Sequence, residues 1–171
     1  MNLTHPHASI GHGIGKARRW ASATAGLAAP PLLRIALLLP FLRSGLTRWD
    51  GFPSLSAGTV YLFENQFKLH LFGGTYGFPA PDTVAFVVAL AETILPVLLA
   101  IGLATRLAAL ALLVMTGVIQ LVFPDGWMNF HLYWAALAIA IIALGPGPLS
   151  LDHLILRWRD ASGRAGEPRT Q

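Results

Sequence analysis

The chain contains no cysteine. That excludes disulfides, thiolate metal sites and a dithiol relay built from this chain alone. Charge is also scarce: Asp, Glu, Lys and Arg make up 12% of 171 residues, about half the ~25% of a soluble domain. No P-loop, and no bis-His haem pair within an apolar run, can be read in it. With 54% apolar residues and a mean hydropathy of +0.59, the composition is that of a membrane protein. The pI near 10.1 does not point to nucleic acid. The basic residues gather in two tails beside apolar runs, as they do when they anchor a membrane protein on its cytoplasmic side. The cluster Lys16, Arg18 and Arg19 precedes an apolar run that lacks a small-residue cleavage site. That run reads as a retained first helix, not a signal peptide.

What is present is a set of four apolar runs, over residues 30–49, 83–103, 107–123 and 130–144, at or near bilayer-spanning length. The expected fold is all-α: an integral-membrane four-helix up-down bundle occupying residues 30–159 as one domain. Residues 1–29 read as a flexible basic tail. Its His5, His7 and His12 make a poor metal cage, so no metal is expected. Residues 160–171 read as disordered. Eight basic residues (16, 18, 19, 106, 157, 159, 164 and 169) lie on one side of the four runs and two, Arg48 and Lys68, on the other. This bias places both termini in the cytoplasm.

The long connection, residues 50–82, is expected to hold an extracytoplasmic amphipathic helix. Ser54 or Ser56 would cap it, and Gly73 and Gly74 would end it. Val60, Phe63, Phe67 and Leu71 recur at helical steps between them. Tyr76, Phe78, Pro79 and Pro81 then lead to Asp82, a good N-cap for the second span. After the fourth span, residues 145–148 (Gly-Pro-Gly-Pro) stop the helix, and residues 150–159 read as a short amphipathic surface helix.

One carboxylate, Glu92, stands near the middle of the second span. Pro96, four residues on, deprives the Glu92 carbonyl of its helical donor. Pro40 does the same in the first span, so Pro40 and Pro96 are expected kinks. A charge in lipid costs ~2.5–3.5 kcal/mol on insertion scales and so calls for a partner. Matching the centres of the spans brings Arg43, Glu92, Gln120 and His131 to one level, with Arg43 the expected partner of Glu92. Arg34 is the better placed to snorkel. Ser44 and Thr116 stand nearby, and Gly45 and Gly117 beside them would permit close helix approach. Met115 and Met128 read as packing residues rather than copper ligands. Two readings stand side by side: an ion pair that fixes helix register, or an intramembrane pocket that binds a polar headgroup.

Three stretches resemble the DoxX family of small membrane proteins: RIALLLPFLRSGLTRWDGF from Arg34, AETILPVLLAIGLATRLAALALLVM from Ala91, and HLYWAALAIAIIALGPGPLSLDHLI from His131. The resemblance implies a four-helix bundle with both termini inside a bacterial inner membrane. It also implies a role in quinone-linked thiosulfate oxidation, or beside partner proteins in defence against oxidative, thiol or metal stress. The leading expectation is an accessory subunit of a redox- or metal-stress system, with no catalytic residues of its own and a quinone as its candidate cofactor. Its partners would be the lipid bilayer, a membrane or periplasmic protein, and a second copy of itself. The alternatives are a directly quinone-linked oxidoreductase subunit and a small-molecule or ion transporter.

Overall fold

The computed structural model describes residues 7–165. His5 lies outside the described residues, as do the side chains of His7 and His12.

Helix α1 (His7–Leu46) is 40 residues long and runs unbroken through Pro30, Pro31 and Pro40. The expected flexible tail is therefore helical from His7 onward. Alanine is the best helix former, and the alanine-rich stretch around residues 17–29 carries the helix into the prolines. The apolar part of α1 reaches back to Arg18, giving a span of 29 residues, Arg18–Leu46. Three further spans follow: α3 (Pro81–Ile101), α4 (Thr105–Val122), and Pro124–Leu144, which ends in α5 (Leu132–Leu144). At ~1.5 Å per residue each is long enough to cross the ~30 Å hydrocarbon core with at most small adjustments.

The helices close a ring in which α1 packs on α3 and α5, and α4 packs on the same two. Along α3 the buried residues are Ala85, Ala89, Glu92, Pro96 and Leu99, alternating steps of four and three. That is the seam of a helix facing helical neighbours. Leu37, Phe41, Leu99, Leu112, Ala138 and Ile141 fill the centre. Leu32, Leu39, Val87, Ile94, Leu107, Val114 and Ile139 point outward, as an apolar exterior in lipid requires.

The long connection departs from expectation. Ser56 does cap a helix, accepting from the Thr59 N–H, but α2 (Ala57–Tyr61) is short and passes into one π turn, Leu62–Gln66. A β-hairpin follows, β1 (Lys68–Leu71) with β2 (Gly74–Gly77). Phe72 and Gly73 both have positive φ, 51° and 79°, the pairing that a two-residue hairpin turn demands. The glycines thus turn a hairpin instead of ending a helix. Helix α3 begins at Pro81 behind Ala80, so Asp82 sits in its first turn and is not its N-cap.

At the end of the bundle that carries the α3–α4 turn, the chain is locked by polar contacts. Asp152 accepts from the N–H groups of Ala104 and Thr105, each at 2.8 Å, and so caps α4. Arg34 is 3% exposed and donates to the carbonyls of Leu149 (2.5 Å) and Leu99 (3.4 Å). It does not snorkel; it staples α1 to both turns. Gly102 leaves room for it, since a β-carbon there would collide with the Arg34 guanidinium and with Ser150. Burial alone would raise the Asp152 carboxyl, but the hydrogen bonds from Thr105 and Ala104 and the charge of Arg34 outweigh it, holding the group below its ordinary value.

Helix α6 (Leu151–Ala165) leads away from this lock. It extends past residue 159, so residues 160–165 are helical where disorder was expected. Leu154, Ile155 and Trp158 lie exposed along it.

Candidate functional site

The level at which the polar residues meet is set by where α1 ends. Gly45, in its last turn, lies against the backbone of Glu92: a β-carbon at position 45 would stand 2.6 Å from the Glu92 carbonyl carbon and oxygen. This is the carbonyl that Pro96 leaves without a helical donor. The end of α1 thus meets the middle of α3, and α3 also packs on α2 and the π turn. Non-helical backbone at such depth is tolerated where it is buried in protein.

This offset changes the partner of Glu92. Arg48, just beyond α1, donates from Nε to Glu92 Oε2 at 2.9 Å and from Nη2 to Oε1 at 3.4 Å. Ser44 adds a hydroxyl donor to Oε2 at 3.0 Å. Glu92 is 3% exposed. Arg43 is exposed and no hydrogen bond joins it to Glu92, so the two arginines of α1 exchange the places expected of them: Arg34 faces the bundle and Arg43 leaves it. Ser44 and Arg48 are one helical turn apart, a spacing that puts them on one face. That spacing is the signal for Arg48, and treating the residue only as an outer-side charge conceals it. Trp49 extends the network by donating to the Thr93 hydroxyl at 3.1 Å.

A second polar pair faces this one. His131 Nδ1 and Gln120 Oε1 are 2.6 Å apart, and the Gln120 amide donates to the Pro124 carbonyl at 2.8 Å. His131 closes the π turn Trp127–His131, is 3% exposed and packs on Trp134. Thr116 is buried, but its hydroxyl donates to the Leu112 carbonyl of its own helix. Nothing lies within 4 Å of a β-carbon built at Gly117. The expected Thr116–Gly117 approach is therefore absent, and Thr116 does not line the site.

Between the two pairs is a cavity of about 410 Å³. Arg48, Glu92 and Ser44 form part of its wall, and His131 with Phe130 and Trp134 another part. Phe41 and Pro40 come from α1, and Val118, Ile119 and Val122 from α4. The connection supplies Phe63, Phe67 and Phe78 as a roof. The Arg48 guanidinium lies 5.5 Å from the Phe63 ring centre and 5.9 Å from that of Phe67, within cation–π range. Phe67 also meets Phe123 at 5.3 Å, and His70 meets the Leu121 carbonyl at 3.2 Å, tying roof to α4. The volume is that of a small-molecule site, and the mostly apolar wall with a few placed polar groups is the usual composition of one.

Four helices long and apolar enough to cross a bilayer define a multi-pass helical membrane protein. The DoxX family model matches residues 29–125, and the chain belongs to the DoxX family. No curated protein and no solved structure is significantly similar to it. The family match covers α1 from residue 29 onward, the connection, α3 and α4, and so includes Arg48, Glu92 and Gln120 but not His131.

Proposed function

We propose that the protein binds the ring of a lipid-soluble quinone-class molecule in the cavity beneath Phe63 and Phe67, as one subunit of a redox or metal-stress assembly in a bacterial inner membrane. The observation that carries this reading is that two separate hydrogen-bonding centres, the Arg48–Glu92 pair and His131, which Gln120 holds from behind, wall one aromatic cavity of about 410 Å³. A planar ring with an oxygen at each end can engage both centres while its faces meet Phe41, Phe130 and Trp134. An ion pair serving only to fix register would not need the second centre or the space between them.

A partner enters the proposal through chemistry. The chain has no cysteine, so it carries no dithiol with which to exchange electrons with a bound ring. Any such exchange would draw on another protein. Both termini in the cytoplasm would put the roof on the outer face, where a periplasmic or membrane partner could reach it.

The test is titration of the full chain in lipid nanodiscs with a decyl-tailed benzoquinone, followed by tryptophan fluorescence, together with mass spectrometry of co-purified lipids. Saturable quenching that is weakened by His131→Phe is the expected result. Quenching that rises linearly with quinone in the wild type, as partition into lipid alone would give, overturns the proposal.

A further inference from the structure

The hydrogen-bond polarity of the cavity can be read from one amide. The Pro124 carbonyl can only accept, so the Gln120 amide turns its Nε2 toward it, at 2.8 Å, and its Oε1 toward His131, at 2.6 Å. An amide oxygen also only accepts. His131 Nδ1 therefore carries a hydrogen, and in the neutral ring Nε2 holds the lone pair. That nitrogen has no hydrogen-bond partner among the described residues, and His131 lines the cavity. Gly126 keeps the ring edge clear, since a β-carbon there would stand 2.8 Å from Nε2. The opposite wall has the reverse polarity. Arg48 commits Nε and Nη2 to Glu92 and Ser44, and its Nη1 amino group, which can only donate, makes no hydrogen bond among the described residues.

We infer that the site selects the reduced, hydroxyl-bearing form of the ring, a quinol, over the oxidised quinone. This rests on the reading of the cavity given above. A quinol hydroxyl donates to His131 Nε2 while the hydroxyl at its far end accepts from Arg48 Nη1. A quinone carries a carbonyl oxygen at each end, and one of them meets the His131 lone pair with no hydrogen between. To accommodate a quinone, the ring must change tautomer and Gln120 must turn its amide over, giving up the bond to Pro124. Gln120 is thus a positioning residue: it touches no ligand, but fixes which hydrogen the imidazole presents.

The experiment compares the decyl-tailed benzoquinol and benzoquinone as ligands of the full chain in nanodiscs, under anaerobic conditions, by calorimetry. The loss of one buried hydrogen bond, with an acceptor left unpaired, sets the expected preference for the quinol at ~10-fold or more. Gln120→Leu frees the tautomer and should reduce that preference to less than ~3-fold while quinone binding is retained. Equal affinities in the wild type, or tighter quinone binding, overturn the inference while leaving the cavity as a quinone-class site. Binding of neither form overturns both. An unchanged preference in Gln120→Leu overturns the role of the tautomer.

Discussion

Arg48 and Glu92 share a two-point contact at 2.9 and 3.4 Å, and the same guanidinium lies under Phe63 and Phe67. One side chain therefore joins the end of α1, the middle of α3 and the roof of the cavity.

Removing that side chain should be costly. Arg48→Ala leaves the Glu92 carboxylate buried and short of its charged partner, a situation that typically costs ~3–5 kcal/mol. Thermal unfolding in detergent should fall accordingly. The pair replacement Arg48→Met with Glu92→Leu should recover most of the loss, because no charge is then stranded. Arg43→Ala should leave unfolding unchanged, and a loss comparable to that of Arg48→Ala would return the partnership to Arg43.

Gly45→Ala tests the offset between α1 and α3. Its added β-carbon would lie 2.6 Å from backbone atoms of Glu92, which cannot rotate away as a side chain could. Overpacking of this kind costs ~1–3 kcal/mol. Gly117→Ala, with open space around it, should be neutral or slightly stabilising in the same unfolding assay. Equal effects at the two glycines would argue against the close approach at position 45.

Asp152 should make the bundle acid-sensitive. Its carboxyl is held below its ordinary value of 3.8 in the folded chain. A depressed carboxylate contributes stability that is fully present above the unfolded value and is lost as pH falls through the folded one. Unfolding midpoints of the wild type should therefore drop as pH is lowered below about 4. Asp152→Asn keeps one acceptor for two N–H groups, loses ~1 kcal/mol at neutral pH as a weakened cap does, and should lack this part of the acid response. An equally steep acid response in both proteins would remove Asp152 as its source.

Helix α6 should lie in the membrane interface. Leu154, Ile155 and Trp158 are exposed on it, while Arg157 and Arg159 flank that apolar face, the arrangement of an interfacial helix. The absence of native cysteine makes single labelling clean. A nitroxide at Ile155→Cys should be shielded from a water-soluble relaxer, and one at Asp160→Cys should be accessible. Equal accessibility would place α6 free in water.

The four spans and a serine cap at Ser54 or Ser56 are legible in the chain, because each follows from local periodicity or local cap chemistry. Matching span centres sets Gln120 and His131 at one level with Arg43 and Glu92, but does not make them a pair of their own. The partner of Glu92 is not reached by matching span centres. That procedure assumes helices of equal extent, and α1 starts early and ends early, at Leu46. Its true start depends on the alanine-rich segment before Pro30 outweighing two prolines, which a start signal at Pro30 masks. The hairpin is hidden for a different reason. Phe63, Phe67 and Leu71 repeat as a helix would, but the positive φ of Phe72 is a tertiary cost that no pattern of side chains announces. The staple of Arg34 is likewise invisible, because its acceptors are backbone carbonyls at Leu99 and Leu149.

The Arg48–Glu92 contact also constrains how the protein is made. Arg48 is synthesised well before Glu92, yet α3 cannot settle in hydrocarbon alone without a stranded carboxylate costing ~2.5–3.5 kcal/mol. The cheapest route into the bilayer is for α1 to be held beside the insertion machinery until α3 emerges. The two would then partition together as a helical hairpin, with the connection folded between them before α4 arrives.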